Sequence, residues 1–430
     1  MDKEIAVAVL GVGTVGGGTV KVLTENAAQI EARLGAKIRI KKILVRSLNK
    51  PRPELIGFDV TDNFDEIIAD PEISVVIELM GGTNPARDYM LRAMAAHKSI
   101  VTANKDVVAE YGKEMFAAAE ANGVDFLFEA SVGGGIPIIA PLKLSLAANR
   151  LTEIMGIVNG TTNYMLTKMT EDKADYASVL LEAQAKGYAE ANPAADVDGL
   201  DAARKAAILA SIAFNSRVKL SDVYVEGITK ISAADIEYAK ELGYTIKLLA
   251  IGRDLAEQGI DIRVHPVFLP LCHPLAAVNG VFNAIFVRGN AIGEAMFYGP
   301  GAGALPTASA VVADVIEAAR NKLTGNVGRI QCTCYEEKTI CPIEETVSSY
   351  YVRLLVSDKP GVLGIIATTF GNADVSLKSV IQTQRALNHQ AEIVAVTHAV
   401  KYKNILNALE NLRRLDVVDE VQNMIRVENV

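Results

Sequence analysis

The chain has 430 residues, of which 50% are hydrophobic and 22% charged, and its formal net charge is -8. A chain of this length is too long to fold around one ordinary hydrophobic core, so two or three domains are expected. The acidic balance argues against nucleic acid as the main partner, because phosphate binding needs clustered Lys and Arg. No apolar stretch of 18 residues and no signal-peptide core is visible. We therefore expect a cytoplasmic protein without a membrane partner.

The first part of the chain alternates predicted strands and helices. Strands are expected over 5–10, 38–47, 74–79, 99–102 and 124–129, and helices over 14–33, 85–98 and 106–121. This alternation predicts an α/β fold with a Rossmann-type, doubly wound parallel sheet. The sequence Gly11-x-Gly13-x-x-Gly16 lies between the first strand and the first helix. That context favours dinucleotide binding over a mere tight turn, because glycines let a pyrophosphate approach the helix N-terminus.

The end of the second strand bears on the choice of cofactor. An Asp or Glu there usually binds a ribose 2′-hydroxyl, but this strand ends in Arg46 and Ser47. Basic and hydroxyl side chains suit a 2′-phosphate, so we expect a preference for NADP(H), with use of NAD(H) left open. The alternative is a solvated basic strand end. Lys105 follows the fourth strand and is expected either beside the reactive end of the cofactor or on the surface.

The segment Lys186–Lys205, KGYAEANPAADVDGLDAARK, is too polar to form core, since isolated charges are costly to bury. Asp201 and Lys205 are four residues apart on a predicted helix, and Asp198 is predicted as its N-cap. The same helical stripe continues through apolar residues. This pattern favours a cleft that holds a small polar molecule over an exposed salt bridge.

Four domains and segments are predicted. Residues 1–130 form the NAD(P)-binding domain, 131–325 an α+β domain for substrate binding, catalysis and oligomerisation, 326–347 a linker, and 348–430 a ferredoxin-like βαββαβ module. Three cysteines, Cys332, Cys334 and Cys341, cluster near the linker. Their spacing differs from the Cys-x-x-Cys pairs of common zinc modules, so reduced thiols are favoured over a metal site.

With these segments assembled, the chain resembles homoserine dehydrogenases that carry a C-terminal ACT regulatory domain, over essentially its whole length. The motifs that carry the resemblance are GVGTVG, TANK, EASVGGGIP, GIVNGTTNY, the Lys186–Lys205 segment, GPGAGALPTASAV and the ACT opening DKPGVLG. The resemblance implies reduction of L-aspartate 4-semialdehyde to L-homoserine by NAD(P)H, in the branch that leads to threonine and methionine.

The resemblance also implies residue roles. Dinucleotide contacts are expected from Val12, Gly13, Thr14, Val15, Lys105 and Gly303. Glu190 and Asp201 match the carboxylates that bind the substrate in this family. Lys205 matches the residue that donates and accepts the proton, and Lys105 is the second choice for that role. A monovalent cation, sodium, is expected at a site built largely of backbone carbonyls from Glu129, Val132, Gly134 and Ile136.

The chemistry agrees with these roles. Glu190 and Asp201 can accept charge-assisted hydrogen bonds from an α-ammonium group, and Lys205 can stabilise and protonate a developing alkoxide. The ACT resemblance implies an amino-acid effector, threonine, and a homodimer or homotetramer. Two other classes were weighed. An aspartate-semialdehyde dehydrogenase needs a nucleophilic cysteine, yet none precedes Cys272. A non-catalytic sensor that only binds nucleotides or amino acids needs no proton donor, so the set of lysines and carboxylates argues against that class.

Overall fold

The computed structural model describes residues 3–50, 52–329, 331–383 and 390–428. The chain divides into two compact units, each built from three segments. The first unit comprises Met1–Ile154, Arg204–Val223 and Phe282–Lys338, and the second comprises Met155–Ala203, Tyr224–Val281 and Thr339–Val430. The predicted domain boundaries at 130, 325 and 347 stay a prediction. Among the described helices, none combines the length and the apolar character needed to cross a membrane.

The N-terminal part of the first unit alternates strands and helices as predicted. Its elements are β1 (Glu4–Leu10), α1 (Thr14–Glu25), α2 (Ala27–Leu34), β2 (Lys37–Leu44), β3 (Val60–Thr61), α3 (Phe64–Ala69), β4 (Ile73–Glu78), α4 (Ala86–Ala95), β5 (Ser99–Thr102), α5 (Lys105–Asn122) and β6 (Phe126–Leu127). The strands form a parallel sheet of order β3-β2-β1-β4-β5-β6. The prediction of a Rossmann-type parallel sheet is confirmed.

One predicted helix in this region is wrong in its extent. The stretch 14–33 is two helices, because Asn26 leaves the helical conformation and its N–H closes α1 on the carbonyl of Val22. The central strand β1 is buried along Val7–Leu10. A continuous apolar run of this kind is typical of a parallel strand covered on both faces.

The middle of the chain contributes to both units. Its elements are β7 (Leu151–Ile157), α6 (Gly160–Asp172), α7 (Tyr176–Ala185), α8 (Ala194–Val197), α9 (Leu200–Ala213), β8 (Tyr224–Val225), α10 (Ala233–Glu241), β9 (Tyr244–Asp254), β10 (Ile260–Pro270), β11 (Phe282–Gly289), β12 (Gly293–Pro300) and α11 (Ala304–Thr324). In β12 the glycines at both ends and the largely exposed side chains hide the usual apolar alternation.

The C-terminal elements follow the expected βαββαβ order, with one short strand added. They are β13 (Val347–Ser357), α12 (Val362–Asn372), β14 (Leu377–Thr383), β15 (Gln390–Thr397), β16 (Val400–Lys401), α13 (Tyr402–Leu412) and β17 (Val418–Val427). Neighbouring strands in the order β17-β13-β15-β14 pair antiparallel. Strand β17 also pairs with β10 through Val267–Arg426 and Phe268–Val427, so this sheet extends within the second unit.

Candidate active site

The glycine-rich turn after β1 is closely packed at two positions and open at a third. Gly11 has a φ of +89°, and a Cβ there would lie 3.0 Å from the Leu79 carbonyl oxygen. A Cβ at Gly16 would lie 2.0 Å from the carbonyl oxygen of Gly11. At Gly13, by contrast, a Cβ would meet no atom within 4 Å. The open side lies at the N-terminus of α1, which is where backbone N–H groups and the helix dipole favour a phosphate.

Four of the residues that the sequence predicts for cofactor contact, Val12 to Val15, form this turn. Gly13 and Thr14 are exposed, while Val12 and Val15 are half-buried. Gly303 is the N-cap of α11, with a φ of +124°. The start of α11 packs on α1, because a Cβ at Gly18 would lie 2.4 Å from the Ala304 carbonyl oxygen. Arg46, just beyond β2, is exposed.

A hydrogen-bond network fixes the turn that carries Lys105. The buried Glu78 at the end of β4 accepts from Thr102 Oγ1 at 2.7 Å and from the N–H of Met80 at 2.8 Å. Asn104 caps α5 by accepting from the N–H of Val107, and its Nδ2 donates to the Gly82 carbonyl at 2.7 Å. Burial raises the pKa of Glu78. Lys105, the first residue of α5, is therefore held on a rigid turn beyond the carboxyl ends of β4 and β5.

An ion pair connects the chain segments that carry the two lysines singled out in the sequence. Arg204 Nε lies 2.8 Å from Asp106 Oδ1. Arg204 directly precedes Lys205 in the chain, and Asp106 directly follows Lys105. The contact joins the first turn of α5 to α9 within the first unit. Both lysines are half-buried. The structure therefore brings the first turn of α5, which carries Lys105, close to the turn of α9 that carries Lys205.

Asp201 lies on α9 one turn before Lys205, as predicted, and its side chain is buried with 7% exposure. Asn159, the N-cap of α6, orients it. The Nδ2 of Asn159 donates to Asp201 Oδ2 at 2.9 Å and to Asp196 Oδ1 at 2.7 Å. Glu190 lies on the exposed bend before α8, where its carbonyl accepts from Gln184 Nε2 at 3.1 Å.

The predicted role of Asp198 is wrong. Asp198 is the C-cap of α8, and it is Gly199, with a φ of +82°, that leads into α9. Gly199 packs tightly, since a Cβ there would lie 3.1 Å from Val225 Cγ1. The sharp turn at a buried glycine, and not a side-chain cap, therefore starts the helix.

Lys186, at the other end of the same segment, has a local partner. Its Nζ donates to Glu182 Oε1 at 2.6 Å and to the hydroxyl of Tyr164 at 2.9 Å. Hydrogen bonds to Glu182 and then to Tyr164 raise the pKa of Lys186. This exposed i, i+4 pair is of the kind that contributes little to stability.

The loop predicted to hold a cation is organised around Glu129. Its buried carboxylate accepts from the N–H groups of Ile138, Ile139 and Ala140 at 2.5, 2.7 and 2.7 Å. Its own N–H donates to Asp314 Oδ2 at 2.7 Å. Burial raises the pKa of Asp314 well above its usual range. Because the carboxylate of Glu129 is already engaged, a cation at this loop would have to be held by backbone carbonyls.

The carbonyl-bearing part of this loop is shaped by glycines. Gly133 and Gly134 have φ values of +74° and +56°, and a Cβ at Gly134 would lie 2.3 Å from the Gly301 carbonyl oxygen. The N–H of Gly135 donates to the Pro300 carbonyl at 3.1 Å. Val132 and Ile136 are buried on either side of the turn. The glycine run therefore serves a close backbone approach to the segment before Gly303.

Sequence reasoning missed the residues that position the site. Asn159 bonds to Asp201, and Asp314 accepts from the N–H of Glu129. Glu78 acts less directly, because it accepts from Thr102 in the turn that leads to Lys105. Two of them left a signal in the sequence. Glu78 ends an otherwise apolar strand, and Asn159 stands three residues before Thr162, whose N–H it accepts in an N-cap pattern. Asp314 interrupts the apolar face of α11.

Comparison with known proteins agrees with this geometry. Residues 11–129 match the family described as homoserine dehydrogenase, NAD binding domain, and residues 137–316 match the family described as homoserine dehydrogenase. A homoserine dehydrogenase of Synechocystis sp. is 48% identical, over 98% of this chain and 99% of its own length. This chain belongs to the homoserine dehydrogenase family.

Solved structures of the homoserine dehydrogenase family share the fold. The crystal structure of a homoserine dehydrogenase from Thiobacillus denitrificans has a TM-score of 0.94 and 43% identity, and the match covers 99% of both chains. A hyperthermophilic archaeal homoserine dehydrogenase mutant, solved in complex with NADPH, has a TM-score of 0.63 and 27% identity over 73% of this chain and 97% of its own.

The predicted enzyme class is confirmed. The chain is an oxidoreductase with homoserine dehydrogenase activity in the aspartate pathway of amino-acid biosynthesis, and it carries a nicotinamide-binding domain. The two other classes weighed from the sequence, an aspartate-semialdehyde dehydrogenase and a non-catalytic sensor, are excluded by this membership.

Proposed function

We propose that the enzyme reduces L-aspartate 4-semialdehyde to L-homoserine, with NADPH as the preferred hydride donor and Lys205 as the proton donor. The observation that carries the proposal is the placement of Asp201 and Lys205 one turn apart on α9, with Asp201 oriented by Asn159 and the Lys205 turn tied to α5 by Arg204. The reduced nicotinamide supplies the hydride when it is bound.

The side chains of the site would then divide the remaining work. Glu190 and Asp201 accept hydrogen bonds from the α-ammonium group of the substrate. The Lys205 ammonium stabilises the negative charge that develops on the aldehyde oxygen and transfers a proton to it from Nζ. In the reverse direction the same amine takes the proton back. Lys105, held on its rigid turn, orients the substrate.

The cofactor would lie along the glycine-rich turn. Val12, Gly13, Thr14 and Val15 form that turn, and the open space at Gly13 leaves room for a pyrophosphate. Gly303, the N-cap of α11, would be a further contact of the cofactor. We propose that Arg46 binds a 2′-phosphate. The archaeal relative solved with NADPH supports the same cofactor class.

Assays that follow oxidation of NADPH and of NADH with aspartate semialdehyde test both proposals. We expect kcat/KM to favour NADPH, and the Arg46→Ala variant to lose about 10- to 100-fold of its kcat/KM with NADPH, because a charge-assisted hydrogen bond contributes about 1.5–3 kcal/mol. Its kcat/KM with NADH should stay near that of the parent enzyme. Equal losses with both cofactors would show that Arg46 does not select the phosphate.

We also propose that residues 348–430 act as an ACT regulatory domain that binds threonine. The βαββαβ order of β13 to β17 supports it, together with the DKPGVLG turn before α12. Threonine as an end product would act through different affinities for two states of the enzyme. At millimolar threonine we expect lower activity and a higher melting temperature, with D-threonine as the inactive control. No change in either quantity would refute this regulation.

Three further proposals concern assembly, location and cation. A homodimer or homotetramer is supported by the exposed apolar side chains of the β11–β12 hairpin, where the rings of Phe282 and Tyr298 stack with their centroids 5.2 Å apart.

We place the enzyme in the cytoplasm, as its composition predicts. Sodium would be held by the carbonyls of Glu129, Val132, Gly134 and Ile136.

A further inference from the structure

Two cysteines after α11 face a cluster of cationic groups in the first unit. Cys332 and Cys334 are half-buried free thiols separated by one residue. Arg217 Nη2 lies 3.2 Å from Cys332 Sγ, although the two residues are 115 positions apart in the chain. A guanidinium at this distance stabilises the thiolate form of the sulfur by charge and by hydrogen bonding.

A second cation borders the same cavity. The Lys143 Nζ stands 4.6 Å from the ring centroid of Phe116 and 5.0 Å from that of Phe128. Burial lowers the pKa of Lys143 to about 8. This lysine, Arg217 and both cysteines line one cavity between α5 and α9, so its walls combine positive charge with aromatic surface.

The two thiols differ in protonation. A hydrogen bond from the Cys334 thiol, together with the charges of Arg217 and Lys143, lowers the pKa of Cys332. The same hydrogen bond raises the pKa of Cys334. Cys334 Sγ also lies 3.5 Å from the Ser211 carbonyl on α9. The guanidinium of Arg217 therefore favours the thiolate form of Cys332, and the Cys334 thiol, one residue away in the chain, donates to the Ser211 carbonyl.

The other cysteines lack this environment. Cys272 is exposed, and Cys341 is buried, with a pKa that burial raises. A reactive cysteine needs both a stabilised thiolate and access to the reagent. Among the four cysteines of the chain, only the half-buried Cys332 has a cation in contact with its sulfur in the described part of the structure.

We propose that Cys332 and Cys334 form a peroxide-reactive dithiol site. The Cys332 thiolate attacks one oxygen of a hydroperoxide, the O–O bond breaks, and the leaving oxygen takes a proton to form an alcohol or water. Cys332 is then a sulfenic acid. The Cys334 sulfur then attacks the Cys332 sulfur, the S–O bond breaks as the S–S bond forms, and the hydroxyl takes the proton that Cys334 loses and leaves as water. Two thiols are oxidised and one peroxide is reduced.

Alkylation and oxidation of the full-length enzyme test the site. At pH 6 we expect iodoacetamide to label Cys332 at least about tenfold faster than Cys272, because the Arg217 guanidinium beside Cys332 favours the thiolate, which is the form that reacts. Treatment with hydrogen peroxide should join Cys332 to Cys334, seen by mass spectrometry as a peptide lighter by two hydrogens. Equal labelling of Cys332 and Cys272 would overturn the proposal.

Single variants separate the two roles. In Cys334→Ser, peroxide should leave a sulfenic acid on Cys332 that dimedone traps, whereas in Cys332→Ser neither product should form. Arg217→Gln keeps hydrogen-bond donors but removes the charge, and it should slow alkylation of Cys332 by about tenfold. Cys272→Ser is the matched control and should change nothing. If the wild-type enzyme traps dimedone as strongly as Cys334→Ser does, Cys334 is not the resolving thiol.

Discussion

Replacing Lys205 with alanine is expected to lower kcat by about 10²–10⁴, the loss typical of removing a general acid. Lys205 lies one turn beyond the buried Asp201 on α9, and its turn is held against α5 by the Arg204–Asp106 ion pair. The substitution removes the ammonium group that would protonate the aldehyde oxygen, while the glycine-rich turn keeps its shape. Steady-state kinetics with varied semialdehyde and varied NADPH should show the loss in kcat, with the KM for NADPH little changed.

Two variants serve as controls for Lys205. Lys186→Ala removes a lysine from the same segment, but one paired with Glu182 on the surface, so its kcat should be near that of the parent enzyme. Asp201→Asn should chiefly raise the KM for the semialdehyde, because it weakens recognition of the ammonium group. Near-normal turnover in Lys205→Ala would remove Lys205 from the mechanism and make Lys105 the next lysine to test.

The second large effect is expected on stability, from Glu129→Ala. The carboxylate of Glu129 is buried and accepts from three backbone N–H groups. Each buried donor left without a partner costs about 1–3 kcal/mol, so the free energy of unfolding should fall by at least about 3 kcal/mol. Urea unfolding followed by circular dichroism measures this loss as a lower urea concentration at the midpoint of unfolding.

Glu129→Gln separates the hydrogen bonds from the charge. The amide keeps one oxygen acceptor, so this variant should lose clearly less stability than Glu129→Ala. Glu120→Ala, at an exposed position on α5, should change the free energy of unfolding by no more than about 0.5 kcal/mol. If Glu129→Ala unfolds at the same urea concentration as Glu120→Ala, the three hydrogen bonds do not hold the loop.

Much of the nucleotide-binding half could be predicted because its signals are local. The buried run of β1, the glycines of the turn and the start of α1 lie within about twenty residues, and periodicity over such a distance determines strand, turn and helix. The i, i+4 spacing of Asp201 and Lys205 is equally local, and the structure has both on α9.

Predictions failed where a local pattern had two solutions. The chain from 14 to 33 has helical character throughout, yet it bends at Asn26. Asp198 has the right type and place for an N-cap, yet the preceding four residues form a helix of their own, and the buried Gly199 makes the turn. At Gly199 the packing around the backbone decided the outcome. Asn26 is exposed, and asparagine has a lower helix propensity than the alanines that follow it.

By itself, the sequence determined the parallel α/β sheet, the glycine-rich turn of the nicotinamide-binding domain and the family, and it supplied the residues that we propose for the site. Only the tertiary structure decided how those residues are oriented. Asn159 reaches Asp201 across 42 positions, Asp314 reaches Glu129 across 185, and Arg217 reaches Cys332 across 115. Contacts over such distances depend on how whole elements pack, and no periodicity in the chain encodes them. The sequence predicts a linker for the segment that holds Cys332, and only the structure shows that the guanidinium of Arg217 contacts the Cys332 sulfur.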